Sequence, residues 1–274
     1  MSEAIQDLIE ISHYAAQHIR FVQGGGGNCS VKFSGKLAIK ASGYNLEEVS
    51  EKKGWAIVDL RTGQAVDKDG PKFSMETHLH QILNTYVIHT HPIAVAALIC
   101  SRQGKENFRR LFPDPLYRWL DYAAPGRSIA EKAKKELEKS PLPPESDCAL
   151  FLQNHGLFIS SATKDGAIQL HEDTVVKLEK FFGDLMTLDL PPIPENRFLT
   201  PDHVVYTFRG ETSKEKWPRK LDAALREVQD FIREVLALMA KKHWEPAWLS
   251  DQDVHVLTDM GDEKYRQKLW RTDE

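Results

Sequence analysis

The chain has 274 residues, 41% hydrophobic and 28% charged, and its 36 basic and 40 acidic side chains leave a formal net charge of -4. That length supports a buried core, and ordinary hydrophobicity with nearly balanced charge is not the composition of a disordered chain. The slightly acidic balance gives no general attraction for nucleic acid or an anionic membrane surface, so an anionic ligand has to be held by local groups.

Cys29, Cys100 and Cys148 are too few and too scattered for a disulfide framework, and none belongs to a Cys-x-x-Cys pair. A reducing, cytoplasmic setting is the expectation. The longest strongly apolar run, 93–100, is far short of the ~20 residues that a spanning helix needs, and the N-terminal stretch reads as a surface helix rather than a leader.

In chain order, Ile5, Leu8, Ile9, Ala15 and Ile19 draw one apolar stripe along a first helix, predicted to end near Gln23 where Gly24 to Gly27 forbid its continuation. Two β-rich runs, 30–33 and 37–41, flank Ser34-Gly35 and predict a hairpin, with a third strand over 55–60. Residues 74–83 have a helical pattern, 86–90 a short strand pattern, and Pro92 then opens a small-residue helix to Cys100. A charged amphipathic helix follows over 127–139. Apolar strands at 148–153 and 157–160 flank the turn Asn154-His155-Gly156, and a long helix covers 164–182. Pro191, Pro192 and Pro194 mark the expected edge of a main domain over 1–195. An extension over 196–274 is expected to hold a strand within 200–208, a long helix over 214–242 and a tryptophan-bearing tail.

Five features carry chemistry. His89-Thr90-His91 lies on a predicted strand, so the two imidazoles face one way and either share a cation or are ordinary hydrogen-bonded histidines. His155, in a tight turn, offers a third nitrogen; three neutral imidazoles with an open fourth position suit a catalytic zinc. Glu76 and His80 are four apart on one helix face, whereas His78 points away, so Glu76 is expected to pair with His80. Glu76 is either a metal ligand and acid/base group or a solvated carboxylate at a helix start. The run GGGGNCS, followed by Lys40-Ala41-Ser42-Gly43, lets backbone N–H groups approach an anion or simply makes a flexible turn, and Asn28, Ser42 and Ser74 add neutral donors. Tyr122, before a turn, either delivers a proton or packs.

Taken in order, GGGGNCSVK, KASGYNL, SMETHLH, HTHP and QNHG resemble the class II aldolase/adducin family over roughly residues 5–185. The resemblance implies an α/β fold with a central, largely antiparallel sheet between helices on both faces, assembled as a cyclic homotetramer with sites at subunit interfaces; the helical C-terminal extension is read from this chain's own pattern and lies outside the resemblance. It assigns zinc to His89, His91 and His155, and the acid/base role to Glu76. It puts sugar-phosphate binding at Gly27, Asn28, Ser42, Gly43 and Ser74, and aligns Tyr122 with a tyrosine donated across the interface.

Departures are informative. Fuculose-phosphate-type aldolases carry Thr-Pro where this chain has Lys40-Ala41, and two serines before the glutamate where it has Ser74-Met75. Lys40 is a candidate to replace the missing phosphate hydroxyl. KASG, S-x-E-T and TPDHVVYT look more like the aldolase half of bifunctional rhamnulose-1-phosphate aldolase/alcohol dehydrogenases, and only that half carries over, because these residues hold no glycine-rich βαβ unit. The implied activity is zinc-dependent retro-aldol cleavage of a ketose 1-phosphate to dihydroxyacetone phosphate and an aldehyde. A pentulose-phosphate 4-epimerase or a decarboxylase would use the same metal site, and an adducin-like oligomeric module would use none of it.

Overall fold

The computed structural model describes residues 2–143, 145–183, 189–207 and 219–260. Seven strands form one sheet in the order β3-β2-β1-β4-β7-β6-β5: β1 (Asn28–Phe33), β2 (Lys36–Lys40), β3 (Trp55–Asp59), β4 (Tyr86–Thr90), β5 (Tyr117–Leu120), β6 (Cys148–Leu152) and β7 (Gly156–Ser161). Every neighbouring pair is antiparallel except β5 with β6. The sheet is therefore largely antiparallel, as the resemblance implies.

Strand alternation divides the interior in two. Ala149, Phe151, Leu157, Ile159 and Ile88 face one core. It is covered by α1 (Ser2–Ala16), α3 (Ile93–Ile99), α6 (Lys164–Phe182) and α8 (Arg219–Lys241). Cys148, Leu150, Leu152, Phe158 and Val87 face the other, under α2 (Thr77–Ile82) and α5 (Arg127–Lys139). His89 follows Val87 by two residues and so belongs to this second face, where its ring stacks on Phe158, its cross-strand partner, at 3.9 Å between centroids.

Three expectations are corrected. The first helix stops at Ala16 rather than near Gln23, because the chain beyond it is tied to the end of β4: the amides of His91 and Ile93 donate to the carbonyls of Phe21 and Arg20. The strand expected within 200–208 is a helix, α7 (Pro201–Thr207), opened by Pro201 at its first position; Val204-Val205-Tyr206 is β-rich in composition, but these residues are buried between neighbouring helices and not at a sheet edge. The expected pairing of Glu76 with His80 gives way to a partner common to both, Asn28. In addition, α4 (Gly104–Leu111) and the parallel edge strand β5 lie in a stretch for which the sequence pattern predicts no element.

Within the C-terminal extension, α8 packs on α3 and α7, and α7 on α9 (Asp251–Asp259). Val228, Phe231, Ile232, Val235 and Met239 of α8 are buried in the same core as α1 and α3. At about 1.5–3 kcal/mol per buried apolar side chain, this docking is firm. The expected helix start at 214 and the tail beyond 260 lie outside the described residues.

Candidate metal centre and its cavity

His89 stands near the end of β4, and His91 lies immediately beyond it, before Pro92 caps α3. His155 sits in the β6–β7 turn, whose backbone reverses through Asn154 in the left-handed region (φ 55°). Asparagine tolerates that conformation, and its side-chain amide is anchored on the carbonyls of Leu199, at 2.8 Å, and Ala247. Gly156 is required by close packing: a Cβ there would lie 2.5 Å from His91 Cδ2 and 2.8 Å from His89 Cε1. One nitrogen from each of His89, His91 and His155 falls within 4.8 Å of the others, and all three residues are buried.

The hydrogen bonding around this triad calls for positive charge. His89 Nδ1 lies 3.0 Å from the Leu157 carbonyl, which can only accept, so the proton is on Nδ1 and the Nε2 lone pair faces inward. Burial holds His89 well below its usual pKa, keeping it neutral. His91 Nε2 is 3.0 Å from His89 Nε2, while its Nδ1 is 3.1 Å from Asp202 Oδ2. A single proton on His91 leaves either two lone pairs opposed or a lone pair against the carboxylate. A cation at the focus, or a second proton on His91, resolves the conflict. Three imidazole nitrogens beside a carboxylate are a donor set that divalent transition metals accept.

Glu76 completes the cluster. It precedes the first residue of α2, is only 8% exposed, and places Oε1 2.9 Å from His155 Nε2 and 3.5 Å from His89 Nε2. Burial opposes its ionisation, but the imidazoles of His89 and His155 outweigh this and hold the carboxyl well below its usual range. Glu76 has helical backbone dihedrals and its carbonyl accepts from the His80 amide at 3.3 Å, so the two side chains do share a face, but they do not meet directly. Instead Asn28 bridges the two: its Nδ2 donates to Glu76 Oε2 at 2.6 Å, and its Oδ1 accepts from His80 Nε2. His80 is neutral, its pKa lowered by burial to about 3, and its Nδ1 accepts from Ser30 Oγ at 2.7 Å. The order Ser30, His80, Asn28, Glu76 is thus a chain of hydrogen bonds with one direction.

A cavity opens onto this cluster, lined by Gly25, Gly26, Gly27, Asn28, Lys40, Ser42, Gly43, Ser74, Met75, Glu76, His91, Pro125, His155, Pro201 and Asp202. The sequence-predicted phosphate residues therefore all line one cavity. Lys40 Nζ donates to the Tyr44 carbonyl at 2.7 Å, Ser42 Oγ to that of Phe73, and Ser74 Oγ accepts from the Glu76 amide. The glycine loop is engaged within the chain: the amides of Gly24, Gly25 and Gly26 donate to Glu227, Tyr206 and Gln23. Tyr122 does not line this cavity. Its side chain packs with Val204, Leu249 and Leu257, its buried hydroxyl has no hydrogen-bond partner among the described residues, and burial raises its pKa. Asp202, which the sequence leaves as either a residue at the edge of a site or the cap of a turn, reaches the site through a contact remote in sequence.

Residues 6–175 match the family described as Class II Aldolase and Adducin N-terminal domain, and the chain belongs to that family. An uncharacterized oxidoreductase, YuxG, of Bacillus subtilis (strain 168) is 24% identical over 169 residues, which is 58% of this chain and 24% of YuxG. The chain thus spans about a quarter of the length of that curated relative. The N-terminal class II aldolase domain of a conserved protein from Thermoplasma acidophilum has a TM-score of 0.56 at 22% identity, covering 65% of this chain and 93% of that one. An aldolase II superfamily protein from Pseudomonas syringae gives 0.50 at 20%, covering 85% and 92%. These likenesses define the fold.

Proposed function

We propose that the chain is a divalent-metal-dependent lyase that cleaves a carbon–carbon bond in a small sugar phosphate, a ketose 1-phosphate yielding dihydroxyacetone phosphate and an aldehyde. The observation that carries this reading is the buried Glu76 set against three imidazoles that each place one nitrogen within 4.8 Å of the others, beside a polar cavity that Glu76, His91 and His155 line.

His89, His91 and His155 would hold a divalent cation, Zn2+ by the nitrogen-rich donor set, which would supply Lewis-acid stabilisation of the negative charge that develops on the substrate as the bond breaks. Glu76 moves the proton at the carbon that is released, and Asn28 holds its carboxylate in place for that transfer. Ser42, Ser74 and Lys40 bind the phosphate from the cavity wall, a local arrangement that the chain's net negative charge does not oppose. With the amides of Gly24 to Gly26 already engaged, these side chains and Gly27 carry the recognition. Tyr122 lies away from the chain's own cavity with its hydroxyl buried, so the proton-delivering role across the interface of a homotetramer would require that hydroxyl to be uncovered on assembly.

The test is product analysis across ketose 1-phosphates with protein stripped by EDTA and then resupplied with Zn2+. Cleavage into two fragments that disappears on stripping and returns with Zn2+ supports the proposal. A single isomeric product or release of carbon dioxide would move the chain to an epimerase or a decarboxylase using the same centre. Turnover indifferent to metal would remove the metal from the reaction.

A further inference from the structure

The segment that follows the family match supplies part of the metal centre's surroundings. Asp202 stands in the first turn of α7, beyond residue 175, yet its Oδ2 is 3.1 Å from His91 Nδ1, and both side chains are about nine-tenths buried. Two independent features hold it there. At Gly26, a Cβ would lie 2.8 Å from Asp202 Oδ2 and 3.1 Å from His91 Nδ1, so the bare backbone at that position is what lets the carboxylate and the ring approach. The segment carrying Asp202 is also tied to the His155 turn and to the glycine loop, through Asn154 Nδ2 to the Leu199 carbonyl at 2.8 Å and Gly25 N to Tyr206 Oη at 2.8 Å.

We infer that Asp202 is a positioning residue for the metal centre: its carboxylate orients the His91 ring and holds the ring proton on Nδ1, so that Nε2 presents its lone pair to the cation. A carboxylate behind a ligating imidazole fixes the tautomer and raises the donor strength of the nitrogen on the far side. The C-terminal extension is then a component of the site, closing one wall of the cavity with Pro201 and Asp202. This inference rests on the reading of His89, His91 and His155 as metal ligands.

The experiment is competition for Zn2+ between a chromophoric chelator and the full-length protein, as wild type, Asp202→Asn and Asp202→Ala, with each variant's thermal midpoint recorded. Asp202→Asn keeps the shape and an acceptor oxygen but removes the charge. The inference predicts that Asp202→Ala weakens Zn2+ binding by about 10- to 100-fold, the usual effect of losing such a partner. It predicts a measurable loss in Asp202→Asn at an unchanged thermal midpoint. A purely structural role would be rescued by asparagine, so wild-type affinity in Asp202→Asn overturns the inference, even if Asp202→Ala does not fold. Absence of Zn2+ binding by the wild type overturns both this inference and the metal-centre reading, whereas wild-type binding that both variants retain overturns this inference alone.

Discussion

Asn28 donates to Oε2 of Glu76 at 2.6 Å through its amide nitrogen while its amide oxygen accepts from His80, so one side chain fixes the carboxylate that faces the histidine triad. Residue 28 is the first position of β1, paired across the sheet with His89, and the strand register thereby sets the carboxylate against the imidazoles.

Substituting Asn28 with Ala strands two buried polar atoms, Glu76 Oε2 and His80 Nε2, each costing about 1–3 kcal/mol. At roughly 2–4 °C per kcal/mol for a domain of this size, the thermal midpoint should fall by several degrees. Turnover should fall further than Zn2+ affinity, because Asn28 holds the carboxylate and touches none of the three histidines through a side-chain hydrogen bond. Differential scanning fluorimetry beside chelator competition checks both; a stable variant with full turnover would show that Glu76 does not depend on Asn28 for its placement.

Gly156→Ala should damage the centre without altering any ligand. The added methyl meets His91 Cδ2 at 2.5 Å and the Thr90 carbonyl at 2.7 Å, both in the buried segment at the end of β4 that carries two of the three histidines. Zn2+ affinity should drop more than tenfold, with overpacking costing about 1–3 kcal/mol of stability. A variant of wild-type affinity and stability would show that the turn relaxes freely around the methyl, contrary to its close packing.

Much of this site is legible in sequence. The two-residue spacing of His89 and His91 anticipates imidazoles side by side, which they are although His91 lies just past the end of β4, and the turn composition Asn154-His155-Gly156 identifies the return between β6 and β7 that brings the third imidazole alongside. What periodicity leaves open is the partner of Glu76 and the contact of Asp202. The four-residue spacing does put Glu76 and His80 on one face, but the amide of Asn28, supplied by β1, stands between them and bonds both. Asp202 reaches His91 only because α7 docks beside α8 and the glycine loop, and no short-range pattern reports such a contact.

Stability should depend on pH through His171, buried between Tyr14 and Thr90, with hydrogen bonds of 2.8 and 2.7 Å. Burial lowers its pKa from 6.5 to about 3. Below pH 6.5 the unfolded chain binds a proton that the folded chain refuses, so stability is complete above that value and is lost as the pH falls toward 3, by up to about 1.4 kcal/mol per pH unit. Denaturant midpoints at pH 7, 5.5 and 4.5 should show this slope. His171→Asn should be less stable at pH 7 but less steep by about one proton; an unchanged slope would assign the acid sensitivity elsewhere.

The three cysteines should be inert in the folded protein. All are buried, and burial pushes the thiols of Cys29 and Cys148 up to about 12 and that of Cys100 higher still. A thiol reagent at pH 8 should find none before denaturation and all three after it. Rapid reaction of any one in the native protein would contradict the packing of its strand or helix.

The stoichiometry of Zn2+ binding to the full-length protein and to its His155→Ala variant decides whether His89, His91 and His155 hold one divalent cation beside Glu76. One Zn2+ per chain in the wild type, with affinity lowered at least 100-fold in His155→Ala, is the predicted result. No stoichiometric binding by the wild type, or equal affinity in the variant, would contradict it.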